Sequence, residues 1–530
     1  MHRYSDRNPP VNRTAPSFTN RIKPISGEVE RVSPNALFDS CSHPAHAAIS
    51  GAWRAARSTF EPCCQPAVLL ALLVLTGCAV GPDYRQPDVA ATAPAAFAEA
   101  GPWQVAAPKD DLPKGSWWKI FHDPALDTLE TQAAAASPTL QAAVARRDQA
   151  FAAAGISRAD YFPSLSLDPS GSRSRYSGNR EVPPGASHAS YTTDSYNLPL
   201  DLSYELDLWG RVRRSNESAR ALADASNAAY QTVLLGVQAD VAQAYFTLRS
   251  LATERDLVVR SIETRRLALE LVQKLFSGGA SAKLDVLRAE TELASAESDA
   301  LVLDQRRAAL RHALAVLCGQ SPEGFAVDDR TALPVTVPAL PVSLPSEVLE
   351  RRPDVAAAER TLAASNAQIG VAKAAFFPSI KLIGSAGYNS TDLNSLLNSD
   401  SRQWSLGPAI SLPIFQGGRN VANYDRAKAA YAESVASYRT RVLVAFQEVE
   451  DGLNGLRYLD EQSAVLARAV SSSREAAKLS TVRYKSGLVS YLEVVDAERT
   501  ALQTELTATE LNAQRFVTSV LLIKALGGGW

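Results

Sequence analysis

The sequence predicts a mixed α and β protein that is internally duplicated and whose strands contribute to a membrane β-barrel. Three observations lead to this prediction. Similar segments recur about 210 residues apart, two pairs of segments alternate apolar with polar residues, and two stretches of 66 residues lack Pro. The chain of 530 residues is 21% charged with a formal net charge of −2. These values exclude a disordered acidic tail and a polybasic nucleic-acid-binding protein.

An apolar segment of signal-peptide length, AVLLALLVLTGCAV at residues 67–80, contains Cys78 and follows Arg54 and Arg57. It resembles a bacterial lipoprotein box, in which the leader is removed and the Cys thiol is alkylated by diacylglycerol. The alternative is a buried helix with a packed Cys. It is disfavoured because GPDY follows at 81–84 and breaks a helix. The resemblance therefore predicts loss of residues 1–77, lipidation of Cys78 and contact with outer-membrane lipid.

This leader is longer than the roughly 15–30 residues that are usual. Met1 is the only Met in the sequence. We therefore expect translation to begin internally, at a non-Met start codon decoded as Val32, Leu37 or a nearby residue. Once the leader is lost, Cys318 is the only thiol besides Cys78, so no intramolecular disulfide is expected.

Two sets of matching segments indicate the duplication. ADYFPSLSL at 159–167 matches AAFFPSIKL at 374–382, and LFSGGASAKLDV at 275–286 matches RYKSGLVSYLEV at 483–494. Each half is expected to contain a helix, a hairpin, a long helix and a return helix. The predicted regions are an N-terminal segment at 78–122, a first repeat at 123–318, a linker at 319–345, a second repeat at 346–526 and a tail at 527–530.

The predicted hairpins span residues 161–208 and 377–415. Apolar residues occupy every even position from Tyr196 to Leu208, and the odd positions between them are mostly Ser, Asn, Asp or Glu. A half-buried sheet in a soluble sandwich would alternate in the same way. Two hairpins cannot cover a soluble core, whereas a transmembrane β-barrel needs such segments of about ten residues. Four strands cannot close a barrel, so several chains must combine theirs.

A Gly-Arg step follows each hairpin, at residues 210–211 and 418–419, and precedes a Pro-free helical stretch. The two stretches, 211–276 and 419–484, would each be about 100 Å long, with return helices at 282–318 and 489–526. Apolar residues such as Val237, Val241 and Tyr245 follow coiled-coil spacing. A cytoplasmic coiled-coil rod would share this spacing, but the anchor and the hairpins argue against it.

Together these residues resemble the TolC-like outer-membrane efflux proteins, and in particular their lipoprotein branch, the NodT or OprM-like channels. The resemblance covers nearly the whole chain after the leader. It is carried by CAVGPDY at 78–84, WW at 117–118, FHDPAL at 121–126, the paired FPS segments, FQEVED at 446–451 and ALGGGW at 525–530.

The resemblance implies a homotrimer in which four strands per chain form a twelve-stranded barrel in the outer membrane. A long α-helical coiled-coil barrel would continue from it across the periplasm. The implied partners are a periplasmic adaptor protein and an inner-membrane efflux pump of the resistance-nodulation-division type. The implied function is passive export of drugs, metals or lipids, with type I protein secretion as the alternative.

By the same resemblance, the turns at the far ends of the long helices form the periplasmic entrance and dock the adaptor. The expected docking residues are Gly278, Gly279, Ala280, Ser486, Gly487 and Leu488. Gly at such a turn lets the backbone bend sharply and approach a partner. Ordinary helix C-caps would also use Gly there, and the two interpretations are compatible.

A gate is expected just inside the second turn. The residues that match the family's constriction and its ionic links are Leu492, Glu493, Asp496, Arg499, Tyr484 and Asp285. Val489 stands where some family members carry Arg, so this chain lacks the Arg side chain that makes one of those links. Ordinary solvated charges, worth ~0–1 kcal/mol per pair, are the alternative interpretation.

The sequence does not predict an enzyme, a cofactor or a metal site. The three His residues beyond the leader, His122, His188 and His312, are far apart in sequence. Gly-rich phosphate loops, nucleophile elbows and HExxH motifs are absent from the sequence.

Overall fold

The computed structural model describes residues 79–85, 115–181, 189–328, 333–334, 336–338 and 351–528. All of them belong to one unit, Val74–Trp530. Several predicted features lie outside the described residues. They are the leader, Cys78, most of the predicted linker after residue 328, and the last two residues.

The N-terminal segment ends with a 3-10 turn, Trp117–Phe121, and the first repeat then contains two helices, three strand segments and two further helices. They are α1 (Pro124–Ala136), α2 (Pro138–Ala159), β1 (Ser164–Leu167), β2 (Ser170–Tyr176), β3 (Tyr191–Leu206), α3 (Arg211–Ser277) and α4 (Lys283–Leu317).

The second repeat follows the same order with one helix before its strands. Its elements are α5 (Pro353–Ala374), β4 (Ser379–Ser390), β5 (Arg402–Ser411), α6 (Arg419–Lys485) and α7 (Tyr491–Ala525). Two short 3-10 turns, Leu393–Ser395 and Ser399–Ser401, lie between β4 and β5.

The long helices α3 and α6 each contain 67 residues, which corresponds to about 100 Å. Each extends one residue beyond the stretch expected from the sequence. Gly210 and Gly418 precede them with φ of 81° and 83°, a conformation that only Gly adopts without strain. None of the helices in the described part of the chain has the length and hydropathy that a membrane span requires.

The strands of the described residues all belong to one antiparallel sheet in which β3 and β4 are central. The first strand differs from the sequence expectation because it is divided into β1 and β2, both of which pair with β3. Asp168 and Pro169 lie between the two segments. Pro has no backbone N–H to donate to the ladder. Pro169 therefore interrupts the first strand between β1 and β2.

The register of the strands separates an apolar face from a polar face. Leu165, Leu202 and Leu406 align across the sheet on one face. On the other face, Ser166, Asp201 and Ser385 align in the neighbouring row. Apolar side chains on the sheet remain exposed in this chain, and Trp404 is 80% exposed. The alternation predicted for β3 therefore extends to its partners in β1, β4 and β5, whereas β2 places Arg173 and Arg175 on the same face as Leu202.

The main core lies where the 3-10 turn meets the middle of α3 and the last turns of α7. Phe246 packs edge-on against Phe121 with 4.8 Å between ring centroids, and its ring is tilted against that of Phe516 at 5.0 Å. Asp123 caps α1 and also accepts hydrogen bonds from Tyr245 and Arg249 of α3. The 3-10 turn and the start of α1 are therefore attached to α3 by both apolar and ionic contacts.

Glu130 on α1 is fully buried in this core. Among the described residues, neither of its carboxylate oxygens has a hydrogen-bond partner. Burial, with a smaller contribution from the charge of Asp127, raises the pKa of Glu130 to about 9. The folded protein therefore holds this carboxyl group in its protonated, neutral form at pH 7.

We predict that Glu130→Gln stabilises the folded protein at neutral pH. The folded pKa lies above the unfolded value of roughly 4.3, so the wild type loses stability as the pH rises between these two values. The neutral amide avoids this loss, and we expect a gain of about 3 kcal/mol at pH 7 that disappears near pH 4. Thermal unfolding between pH 4 and pH 9 measures the difference.

Glu475→Gln is the matched control, because the Glu475 side chain is 59% exposed on α6. It should leave the melting temperature unchanged across the same pH range. A Glu130→Gln difference that does not vary with pH would contradict a buried neutral carboxyl group.

Candidate functional site

The candidate site is the helical end, which we define as the turns at 278–282 and 486–490 and the helix segments that adjoin them. α3 and α4 form the first helical hairpin, and α6 and α7 form the second. The sequence predicted a docking surface at these turns and a gate beside them.

Both turns have the same backbone geometry. Gly279 and Gly487 have φ of 74° and 72°. The N–H of Ala280 donates to the carbonyl of Leu275 at 2.8 Å, and that of Leu488 donates to Arg483 at 3.0 Å. This bond from the sixth residue back to the first is typical of a Schellman helix end.

The outer surface of both turns is open. A side-chain carbon added at Gly279 or Gly487 would meet no atom of this chain within 4 Å. Leu488 is 70% exposed. Gly278 ends α3 with helical backbone angles, and Ala280 and Ser486 are also exposed. All six residues predicted as docking positions therefore lie at the surface of the two turns.

Behind the turns, the two hairpins share a small apolar core. Its buried members are Val272, Val286 and Ala289 from the first hairpin and Tyr491, Val494 and Val495 from the second. Burial, followed by the charges of Glu498 and Glu292, raises the pKa of Tyr491 to about 12. The hairpins therefore pack on each other in this chain.

The predicted gate residues of α7 lie on the side away from this core. Leu492, Glu493, Asp496 and Arg499 are all exposed, whereas Tyr491, Val494 and Val495 are buried. Leu492, Asp496 and Arg499 follow helical spacing on one face. Leu492 and Asp496 on this exposed face are available to contact another chain or a solute, whereas Arg499 binds Glu292 of the same chain.

Tyr484 and Asp285 lie on opposite hairpins near the same core. Asp285 accepts a hydrogen bond from Ser281 at 3.1 Å and pairs with Arg288 at 3.7 Å. Burial, with a smaller contribution from the charge of Asp285, raises the pKa of Tyr484. The Asp285 carboxylate is therefore close enough to oppose ionisation of Tyr484, while the bonds described for Asp285 are to its own hairpin.

Glu292 and Arg265 were not predicted from the sequence. Both side chains are 8% exposed, and their nearest charged atoms are 3.3 Å apart. Arg499 binds the Glu292 carboxylate with two nitrogens, and its Nε lies 3.0 Å from Oε2. Glu292 and Arg265 are 27 residues apart, so no local motif could have paired them. The only sign of this pairing in the sequence is that the two charged residues interrupt otherwise apolar faces of their helices.

At the base of the sheet, residues 79–85, here called the strap, pack against both repeats. The N–H of Val80 donates to the carbonyl of Trp209 at 3.0 Å, and Asn366 donates to that of Pro82 at 3.0 Å. Asp83 pairs with Arg214 at 2.6 Å. The strap thus contacts the start of α3 and the middle of α5.

Gly81 allows this close packing. Its φ is 121°, and a side-chain carbon there would lie 2.6 Å from the Cα of Gly370. No larger residue fits at Gly81 without displacing the backbone of α5. Among the described residues, no group of His, Cys, Asp and Glu side chains could hold a metal ion.

Comparison with known proteins gives a consistent result. A family model described as outer membrane efflux protein matches residues 129–320 and 344–528, one match for each repeat. The cation efflux system protein CusC of Escherichia coli O6:H1 is 33% identical over 461 residues, covering 86% of this chain and 97% of that protein. The solvent efflux pump outer membrane protein SrpC of Pseudomonas putida is 34% identical, covering 87% and 97%.

The structure is also similar to solved channels. It matches the outer-membrane channel OprN with a TM-score of 0.79 and 34% sequence identity. The match covers 86% of this chain and 100% of the OprN chain. The predicted fold class, a duplicated chain with a β domain continued by long paired helices, is confirmed.

Proposed function

The chain belongs to the outer membrane efflux protein family, and on this basis we propose that it is the outer-membrane subunit of a tripartite efflux pump. The family is one of transport proteins, so the prediction that the chain is not an enzyme is confirmed. In the proposed pump, the channel carries small molecules passively from the periplasm to the exterior. The names of its relatives, which refer to cations and to solvents, favour small cargo over secreted proteins.

The two-faced sheet is the observation that supports a pooled barrel. In the described residues, β1 and β2 pair only with β3, and β5 pairs only with β4. The outer sides of these strands have backbone groups available for pairing with another copy. Closure by three copies would leave no edge in the lipid, place the apolar face outward and enclose the polar face. A homotrimer of twelve strands fulfils these conditions.

The strap supports a lipid anchor at Cys78. It holds residue 79 beside Gly210, at the junction between β3 and α3. The indole of Trp209 stacks on Phe377 at 4.8 Å at this junction, and aromatic residues of barrels concentrate at membrane interfaces. Acyl chains on Cys78 would therefore reach lipid alongside the apolar face of the sheet.

The helical end is the proposed contact with the pump. Its two Schellman turns expose Gly279, Gly487 and Leu488, a surface suited to a helical hairpin of the periplasmic adaptor. The adaptor would connect the channel to an inner-membrane pump of the resistance-nodulation-division type. Leu492, Glu493, Asp496 and Arg499 would face the channel axis as the gate, with Tyr484 and Asp285 as further partners.

We predict that deleting the gene increases susceptibility to at least one class in a panel of drugs, metals and fatty acids. Wild-type protein should restore resistance. Leu488→Asp should fail to restore it while still reaching the outer membrane, because a charge at the turn opposes an apolar contact with the adaptor. Growth inhibition and outer-membrane fractionation measure the two effects.

Leu397→Asp is the matched control, since Leu397 is 68% exposed in the loop between β4 and β5. It should restore resistance like the wild type. Unchanged susceptibility of the deletion strain to the whole panel would argue against an efflux role. Full activity of Leu488→Asp would argue against docking at the turn.

For the anchor, we predict that the mature chain begins at a lipidated Cys78. Intact-mass spectrometry of the purified protein should show the acyl groups, and Cys78→Ser should remove them. Cys318→Ser should retain them because Cys318 is buried. A mature chain that keeps an unmodified Cys78 joined to Gly77 would refute the anchor.

For the gate, we predict that Leu492→Ala combined with Asp496→Ala increases the conductance of the isolated trimer in planar bilayers. The substitutions remove an apolar ring and an acidic ring from the narrowest part of the proposed pore. Asp148→Ala on α2 removes an exposed carboxylate elsewhere and should leave conductance unchanged. Equal conductance of the wild type and the double variant would count against these residues as the gate.

A further inference from the structure

Two arginine residues lie on the apolar face of the sheet, at the end away from the helices. In the register of β2 with β3, Arg173 is opposite Asp194 and Arg175 is opposite Thr192. Opposite residues of an antiparallel pair share a face, and alternate residues along a strand do so as well. Arg173 and Arg175 are therefore on the same face as Leu202, and both are exposed.

A third arginine lies on this face at the other edge of the sheet. Arg402 begins β5 and aligns with Tyr388, which in turn aligns with Leu198 of the apolar face. Within the part of the chain that the structure describes, the outer sides of β2 and β5 are unpaired. The proposed closure of the barrel pairs these two edges. Arg402 of one copy would then lie at the same seam as Arg173 and Arg175 of its neighbour.

The level of these arginines along the strands corresponds to the outer boundary of the lipid. The part of β3 from Tyr196 to Leu206 is about 34 Å long. At the usual strand tilt of roughly 40°, it rises by about 25 Å, which is the height of the apolar band of a membrane barrel. Asp194 lies just beyond this band, and so do Arg173 and Arg175 on the neighbouring strand.

Aromatic residues on the same face mark the same level. Tyr196 and Tyr388 lie there, and Trp404, one row nearer the helices than Arg402, is 80% exposed. Membrane barrels concentrate aromatic side chains at both interfaces, where charged side chains on the lipid face are also tolerated. An Arg at such an interface can lay its stem on apolar surface and direct its guanidinium group toward the headgroups.

This end of the apolar face carries an excess of positive charge. Asp194 lies 3.5 Å from Arg173, whose side chain is 77% exposed. Among the described strand residues of this face, Arg175 and Arg402 are the only other charged side chains. One carboxylate therefore stands against three guanidinium groups, and the face is complementary to an anion.

We propose that each seam between copies binds the phosphorylated headgroup of an anionic lipid in the outer leaflet. Arg173 and Arg175 of one copy and Arg402 of its neighbour would hold the phosphate, since planar guanidinium groups bind phosphate oxygens bidentately. The acyl chains would pack on the apolar rows that include Trp404. The inference rests on the proposed trimeric barrel, because the seam exists only there, and the lipid would join the neighbouring copies.

The test measures binding of lipid A, a phosphorylated lipid, to purified full-length trimers in detergent by native mass spectrometry. The combined variant Arg173→Gln, Arg175→Gln and Arg402→Gln should bind lipid A about tenfold more weakly than the wild type. Dephosphorylated lipid A should bind both proteins equally weakly. Inorganic phosphate should not displace lipid A, because it has no acyl chains to pack on the sheet.

The matched control is the combined variant Arg266→Gln, Arg457→Gln and Arg474→Gln, which removes three exposed arginines from α3 and α6. Its net charge equals that of the first variant, and it should bind lipid A like the wild type. Equal weakening in the two variants would overturn the site, since net charge alone would then govern binding. Equal affinity of the wild type for lipid A and its dephosphorylated form would overturn it as well, and displacement by inorganic phosphate would assign the arginines to a soluble anion instead.

The assembly state of the same samples separates this proposal from the barrel. If wild-type trimers conduct in planar bilayers but bind lipid A no better than the variant without Arg173, Arg175 and Arg402, the lipid site is wrong and the barrel stands. A wild-type chain that purifies only as a monomer would overturn the barrel and the seam with it. If the combined variant does not form trimers, Arg175→Gln alone replaces it, and a wild-type affinity for lipid A would then overturn the site.

Discussion

The antiparallel pairing of β3 with β4 is the contact on which the arrangement of the two repeats depends. The ladder runs from Tyr196 opposite Ser390 to Leu206 opposite Ile380, so it joins one strand of each repeat along most of its length. Because α3 follows β3 and α5 precedes β4, the same pairing brings α3 beside α5. Trp209 on Phe377 and the strap on α3 and α5 then reinforce this junction.

Packing below the sheet follows from that junction. Once the starts of the helices are positioned, α3 and α6 extend for about 100 Å, and the apolar seams along them determine which helices pair. The core around Phe246 holds the middle of the helices, and the smaller core around Tyr491 holds their far end. Between these cores, Leu506 of α7 packs on an apolar cluster of α3 and α4, and the pairing of Arg499 with Glu292 adds an ionic contact between the hairpins.

The two repeats have similar backbones at their turns but different side chains beside them. The turns at Gly279 and Gly487 have nearly identical dihedral angles and hydrogen bonds. The side chains one helical segment away differ, since Arg265 and Glu292 correspond to Ser473 and Thr500. A repeated fold therefore provides two equivalent turns, while the charges that connect the hairpins occur on one side.

The sequence by itself determined the helices, the turns and the polarity of the sheet, because these features depend on local periodicity and on residues with special backbone freedom. Alternation of apolar and polar residues identified β3, and Gly-Arg steps identified the starts of α3 and α6. The family resemblance located the exposed stripe of Leu492 and Asp496.

Tertiary structure alone decided the rest. The pairing of β3 with β4, the division of the first strand at Pro169 and the contact of Glu292 with Arg499 join or interrupt residues that have no local relationship. Such contacts depend on how separate elements pack in space, and a one-dimensional pattern does not specify that.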